Sequence, residues 1–281
     1  MSEKNQKNPA PAAPGRAEVA LDNHPVVPRK EWLAARAMLL EREKEFTRLR
    51  DALNRQRREL PWVKVGKSYV FDGPRGKETL ADLFAKKSQL VVYHFMFSPA
   101  WDEGCRHCSF WADHYDGIGR HLPHRDATLV AVSRAPLAKI EAFKKRMGWR
   151  FKWVSSFQSD FNYDYHVSFR PEEIRSGPVF YNYEKTKMNM EDREGVSVFY
   201  KDGSGAVFHT YSSYARGIDM LNAAYHYLDL VPKGRDEDRL EFTQAWVRHH
   251  DKYGDGYVLD PSATYDKPLE TGTCCNHEEP A

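Results

Sequence analysis

A continuous apolar run at Leu90–Phe97 (LVVYHFMF) leads into a Cys105-Arg106-His107-Cys108 motif that opens a helix. A second apolar run at Thr128–Ser133 (TLVAVS) leads into an amphipathic segment. Together they predict an α/β chain of thioredoxin-like type. Apolar runs of this length without alternation suit strands buried on both faces. The order is strand, helix, strand, helix, then hairpin and helix, which is the thioredoxin order with one hairpin added in front. The 281 residues allow one large domain with extensions, and a hydrophobic fraction of 41% supports a sizeable core.

Residues 1–27 read as a flexible leader, with Pro9, Pro11, Pro14 and Pro25 among small and polar residues. A long helix is predicted over 28–60, started by Pro28 and stopped by Pro61. Trp32, Leu39, Phe46, Leu53 and Leu60 recur every seven residues, with Ala35 and Leu49 close to the same face. That spacing fits either a coiled-coil arm for a homodimer or a helix laid across its own domain. The polar residues at the second heptad position favour the latter. Arg48, Arg50, Arg55, Arg57 and Arg58 read as a solvated face.

The thioredoxin-like domain is predicted over 61–232. Ser68–Phe71 with the Asp72-Gly73 turn suggests a hairpin, and Leu80–Phe84 a short segment after it. Pro136–Met147 is an amphipathic helix with Leu137, Ile140, Phe143 and Met147 on one side, and Phe151–Ser155 a further strand. Val196–Tyr200 and Ala206–Tyr211 flank Asp202-Gly203-Ser204-Gly205, a hairpin signal. Gly217–Leu228 reads as an apolar helix ended by Pro232. Residues 233–281 are predicted to hold a polar helix around Arg239–Tyr253 and then a tail.

A net charge of +2 gives no electrostatic reason to expect nucleic acid or membrane partners. No apolar stretch reaches 18 residues, and the polar N-terminus does not resemble a secretion signal. Four cysteines in so long a chain are not a disulfide framework. The expected location is the cytoplasm, where a Cys-x-x-Cys serves redox or metal chemistry.

A thiol is a poor nucleophile until it ionises, and unpaired N–H groups at a helix start favour the thiolate. The strand before the motif brings Cys105 to the carboxyl edge of the sheet, where open α/β folds bind ligands. Cys105 is the expected attacking thiol and Cys108 the resolving one. Arg106 and His107 add positive charge or donors beside the thiolate, which favours the reduced form and makes the disulfide more oxidising. No cofactor is needed for that chemistry. The alternative is a zinc, copper or iron site drawing on Cys105, Cys108, His94, His107 and His114, although no second Cys-x-x-Cys or His-x₃-His completes a ligand set. Inert cysteines are the third reading.

Trp101 is a candidate cover for the active sulfur or a packing residue. Asp113 and Asp116, on the helix after the motif, are solvated acids or proton carriers for the second thiol. Arg134, at the end of a predicted strand, either holds an anionic substrate or pairs with an acid. Ser159–Tyr165 and Tyr181–Tyr183 line a pocket or anchor loops. Cys274 and Cys275 in the tail are either incidental or a relay to the core pair.

The stretches HPVVPRKEWLAAR, LPWVKVGKSYVFDGP, YHFMFSPAWDEGCRHCSFWAD, TLVAVSRAPLAKIEAFKKRMGW, SDFNYDY and GVSVFYKDG, with FHTYSSYARG and YHYLDLVPKGRDE after them, resemble the bacterial family known as domain of unknown function 899. The resemblance spans about residues 24–253. It implies a thioredoxin-like fold related to the peroxiredoxin branch and dithiol–disulfide exchange, with its motif falling on Cys105 and Cys108. Two departures from better-known relatives stand out. Thioredoxins carry a proline before the strand that faces the dithiol, whereas Gly195–Phe199 has none. Peroxiredoxins carry a proline and a threonine ahead of the reactive cysteine, whereas SPAWDEGC has Pro99 but no threonine. A dithiol oxidoreductase acting on a dedicated small molecule or one specific protein disulfide is therefore the expected function. A metal-dependent or metal-binding protein is the alternative, and an interaction protein built on the N-terminal helix the third possibility.

Overall fold

The computed structural model describes residues 24–253. The leader up to residue 23 and the tail from 254, with Cys274 and Cys275, lie outside the described residues. Helix α1 (Arg29–Glu59) is followed by strands β1 (Val63–Lys64), β2 (Val70–Gly73) and β3 (Gly76–Thr79). The central units are β4 (Gln89–His94), α2 (Arg106–Ala112), α3 (Tyr115–His121), β5 (Ala127–Ser133), α4 (Leu137–Arg146) and β6 (Lys152–Ser155). After them come α5 (Phe161–Asp164), α6 (Pro171–Ser176), β7 (Val179–Tyr181), β8 (Glu184–Thr186), β9 (Gly195–Lys201), β10 (Val207–Tyr214) and α7 (Ala223–Leu228).

One sheet has the order β1-β10-β9-β4-β5-β6-β2-β3. Strands β4, β5 and β6 run parallel, and β9 is antiparallel to both β4 and β10. The inner order β10-β9-β4-β5, with a helix after β4 and another after β10, is the thioredoxin-like core. The dithiol helix thus springs from the carboxyl end of a central strand.

Alternation along β4 divides the interior in two. Tyr93 and Phe95 point to the α2 side, where they join Cys108, Trp111, Ile140, Phe143, Trp153 and Tyr225. Leu90 and Val92 point the other way and join Phe71, Leu83, Phe84, Phe161 and Phe199. Both β4 faces are therefore covered, which is why its sequence reads as an unbroken apolar run.

The segment between β6 and β9 was not legible as structure in the sequence. Its elements are three to six residues long, and a buried ion pair fixes them. Arg134, at the end of β5, donates through Nε to Asp192 at 2.7 Å and through Nη2 to the same carboxylate at 3.0 Å. Its Nη1 reaches the Tyr163 hydroxyl at 2.8 Å, and Ser168 donates to Asp192 at 2.6 Å. Arg134 is thus committed to a structural partner, the second of the two roles expected for it. Tyr163, from the SDFNYDY stretch, anchors the segment through the same arginine.

Three expectations are corrected. The polar helix around Arg239–Tyr253 does not form; the region consists of turns and one 3-10 turn at His250–Lys252. The Glu237 carboxylate accepts from Gln244 N–H at 3.0 Å and from Trp246 Nε1 at 2.7 Å, and Gln244 has φ of +69°. Side-chain bonds and a left-handed residue there replace the helical backbone pattern. The expected helix at Gly217–Leu228 is split: a 3-10 helix covers Ala215–Leu221, and α7 begins only after Asn222, whose side chain caps it. Finally, α1 is not laid across its own domain, since none of its residues is buried. Its junction with the domain is made by Trp62, whose ring lies 5.0 Å from Tyr200 and 5.9 Å from Phe208 between centroids.

His94 closes β4 on the face away from α2. It is fully buried, with Nε2 2.9 Å from Ser197 Oγ and the ring stacked near Tyr165. Burial, with a smaller contribution from His209, pushes its pKa down to about 3. The unfolded chain takes up this proton near the ordinary histidine value and the folded chain does not. Stability from neutral His94 is complete above that ordinary value and is lost as pH falls toward 3. Denaturant unfolding from pH 7 to pH 4 should show a decline that is steeper than in His94→Phe by up to about 1.4 kcal/mol per pH unit. Equal slopes in the two proteins would contradict the assignment.

Candidate active site

The approach to the dithiol is set by Gly104. A Cβ there would lie 2.7 Å from Phe95 Cε1 and 2.8 Å from Phe143 Cε1, so only glycine lets the chain pass between these rings. The next backbone N–H, that of Cys105, donates to Met96 O at 3.0 Å and ties the motif to the end of β4. Cys105 is the N-cap residue of α2, and its carbonyl accepts from Ser109 N–H and Ser109 Oγ, both at 3.0 Å.

The two sulfurs differ in environment. Cys105 is half-buried, whereas Cys108 is 2% exposed and accepts a bond from Met96 N–H at 3.4 Å. The Cys105 thiol is held well below its ordinary pKa, first by the Cys108 thiol donating to it, then by the His107 side chain and the Cys108 N–H, against the opposing effect of burial. Cys108 is raised well above its ordinary value by burial, by the neighbouring Cys105 sulfur and by the charge of Glu194. One thiolate and one thiol sharing a proton is the resting state this geometry favours.

The supporting residues have distinct places. Arg106 donates through Nε to His107 Nε2 at 3.3 Å, which leaves Nδ1 as the His107 donor. The His107 ring meets Phe242 edge-on at 5.9 Å. Trp101 packs against the core on the α2 side, and its carbonyl accepts from Lys139 Nζ at 2.8 Å. Asp113 and Asp116 turn away from the thiols. Asp113 accepts from Trp149 Nε1 at 2.9 Å and lies 2.6 Å from His250 Nδ1, while Asp116 receives the N–H groups of Arg150 and Phe151.

The alternative metal set is not brought together. His94 lies on the opposite face of the sheet from Cys108, and His114 lies past the end of α2. Among the described residues no three His, Cys, Asp or Glu side chains converge as a metal-binding group. No helix among the described residues is long and apolar enough to cross a membrane.

Sequence reasoning missed three contributors. Tyr93 faces Cys108 with a buried hydroxyl outside good hydrogen-bond geometry, a placement that strand alternation could have revealed. Glu194, the residue before β9, brings a negative charge near Cys108. His249 donates through Nε2 to Gly104 O at 2.8 Å. It is separated from Gly104 by 145 positions, so no local pattern could signal it. Around it, Arg146 bonds Glu103 at 2.6 Å and Asp251 at 2.7 Å, and Lys252 bonds Glu103 at 2.9 Å. The C-terminal segment is thereby fastened over the loop that leads to Cys105.

Residues 21–253 match the family described as bacterial protein of unknown function, DUF899. The chain belongs to that family. The expected family resemblance is thus borne out over all of the described residues. No curated protein matches the chain. Among solved structures, it is similar to peroxidoxin BcpB from Mycobacterium tuberculosis, with 14% identity over 58% of this chain and 94% of that one and a TM-score of 0.39. A mutant of Xanthomonas campestris peroxiredoxin Q gives 14% identity, 57% and 89% coverage and a TM-score of 0.39. A putative thiol:disulfide interchange protein DsbE from Chlorobium tepidum gives 14%, 59% and 94% with 0.35. The thioredoxin-like assignment in this DUF899 chain stands on its strand order, to which these distant likenesses add nothing.

A lowered Cys105 pKa has a direct consequence. Iodoacetamide should alkylate Cys105 of the reduced protein with a rate that holds its plateau to a pH well below the ordinary thiol value, while Cys108 stays unmodified in the folded state. In His107→Ala the plateau should end at higher pH. A Cys105 rate that falls tenfold per pH unit below about 8.5, the free-thiol value, would contradict the geometry.

Proposed function

We propose that this DUF899 protein is a dithiol–disulfide oxidoreductase working through Cys105 and Cys108. The observation that carries the proposal is the asymmetry of the pair: a half-buried, thiolate-stabilised Cys105 at the start of α2, beside a buried Cys108 that donates to it. In the reaction, the Cys105 thiolate attacks one sulfur of a substrate disulfide and expels the other as a thiolate, which gives a mixed disulfide. Cys108 then loses its proton and attacks the Cys105 sulfur. The substrate leaves as a dithiol, and the enzyme is left with a Cys105–Cys108 disulfide. An external dithiol restores the pair, and no resident cofactor is required.

The substrate is a dedicated small disulfide or one specific protein. Glu194 and Gly195 stand where broad protein-disulfide enzymes carry a proline ahead of the facing strand, and the Phe242 ring packs edge-on against His107, the residue between Arg106 and Cys108. A reducing cytoplasm suits such a site.

Thiolate stabilisation favours the dithiol form and therefore raises the potential of the couple. Equilibration with glutathione buffers should give a midpoint less negative than the roughly −270 mV of thioredoxin. Peptide mapping should find a mixed disulfide with glutathione at Cys105 of Cys108→Ser and none at Cys108 of Cys105→Ser. A midpoint at or below the thioredoxin value, or an adduct at Cys108 of Cys105→Ser, would overturn the proposal.

A further inference from the structure

Helix α1 has 31 residues and thus extends about 46 Å, yet none of them is buried. Helices in proteins owe most of their stability to an apolar face packed on something else. Here that face is open: Trp32, Leu39, Phe46 and Leu53, with Leu60 just past the helix end, are all exposed, Phe46 by 64%. These five residues follow a strict seven-residue repeat, with Ala35 and Leu49 at the companion core position.

The geometry points to a second copy of this chain as the occupant, with the two α1 helices forming a parallel coiled coil. Charge decides both the partner and the direction. With the five apolar residues at the first core position, Glu31 and Glu45 fall on one flank of the seam, and Arg36 and Arg50 fall on the other with Glu43 between them, bonded to Arg36 at 2.8 Å. In a parallel pair, each flanking residue meets the partner's opposite flank five positions further on. Glu31 then faces Arg36 of the partner subunit, and Glu45 faces Arg50 of the partner subunit, each contact occurring twice by symmetry. An antiparallel pair centred on Phe46 would instead set Glu45 against its own copy, Glu31 near Glu59 and Arg36 near Arg57, with only Glu43 near Arg50 in its favour. Arg42 and Gln56 at the companion position interrupt the apolar seam, which fixes register at some cost in affinity. Arg57 already lies 5.7 Å over the Tyr211 ring of its own domain, so the base of the helix is anchored while the seam remains free.

Sedimentation equilibrium of the full chain tests this. The wild-type protein should be a dimer. Phe46→Glu should be monomeric with an unchanged thermal transition of the domain, because Phe46 touches no core. Glu45→Arg and Arg50→Glu should each weaken the dimer at least tenfold, and the two together should restore it. A monomeric wild type, or a dimer that survives Phe46→Glu, would overturn the proposal; failure of the double variant to recover would overturn the parallel register. The readout is mass and does not depend on thiol chemistry, so it stands or falls apart from the redox reading.

Discussion

The backbone at Gly104 and Cys105 is the constraint on which the site depends. Two aromatic rings, Phe95 from the strand side and Phe143 from α4, leave room for a chain without a Cβ and no more. Through that gap the chain arrives at Met96 O with the Cys105 N–H and turns at once into α2. The carbonyl of the same glycine accepts from the buried His249. Sheet, helix and C-terminal segment therefore meet at one peptide, and the sulfur that follows it inherits a fixed position. A looser approach would leave Cys105 at the same place in the sequence but without its dependable relation to the Cys108 thiol and the His107 ring.

From this fixed point follows the difference between two chemically identical side chains. One lies at the helix start with donors directed at it, and the other lies one turn inward among Tyr93 and Trp111. Burial penalises charge on Cys108, and proximity lets it share its proton with Cys105. The negative charge of Glu194 reinforces that division. Nothing in the pair's own sequence, Cys-Arg-His-Cys, separates the two roles so sharply; the strand beneath and the residue before β9 do.

Much of this was legible in the chain. The runs LVVYHFMF and TLVAVS are strands covered on both faces, and their unbroken apolar character says so. The Asp202–Gly205 turn marks its hairpin, and Pro28 and Pro61 bracket α1 within a residue or two. The position of Cys105 at a helix start followed from the same reading. What was hidden is held by side chains acting over distance. The segment from Phe161 to Glu194 is ordered by Arg134 gripping Asp192, and short elements pinned by a polar contact carry no periodicity. At Arg239–Tyr253 the pattern suggested a helix, but Glu237 captures the Gln244 N–H, a donor that a helix would need. The openness of α1 is likewise a tertiary fact: a seven-residue repeat does not by itself reveal whether its partner is the same chain.

The proposed reaction requires Cys105 and Cys108 to interconvert between a dithiol and one internal disulfide. Peptide mapping by mass spectrometry of protein treated with oxidised glutathione, then with excess dithiothreitol, tests it most directly. A single linkage is expected between the peptides of Cys105 and Cys108, formed without mixed linkage to Cys274 or Cys275 and fully reversed by the reductant. Two free thiols at these positions after complete oxidation of a thioredoxin control would contradict it.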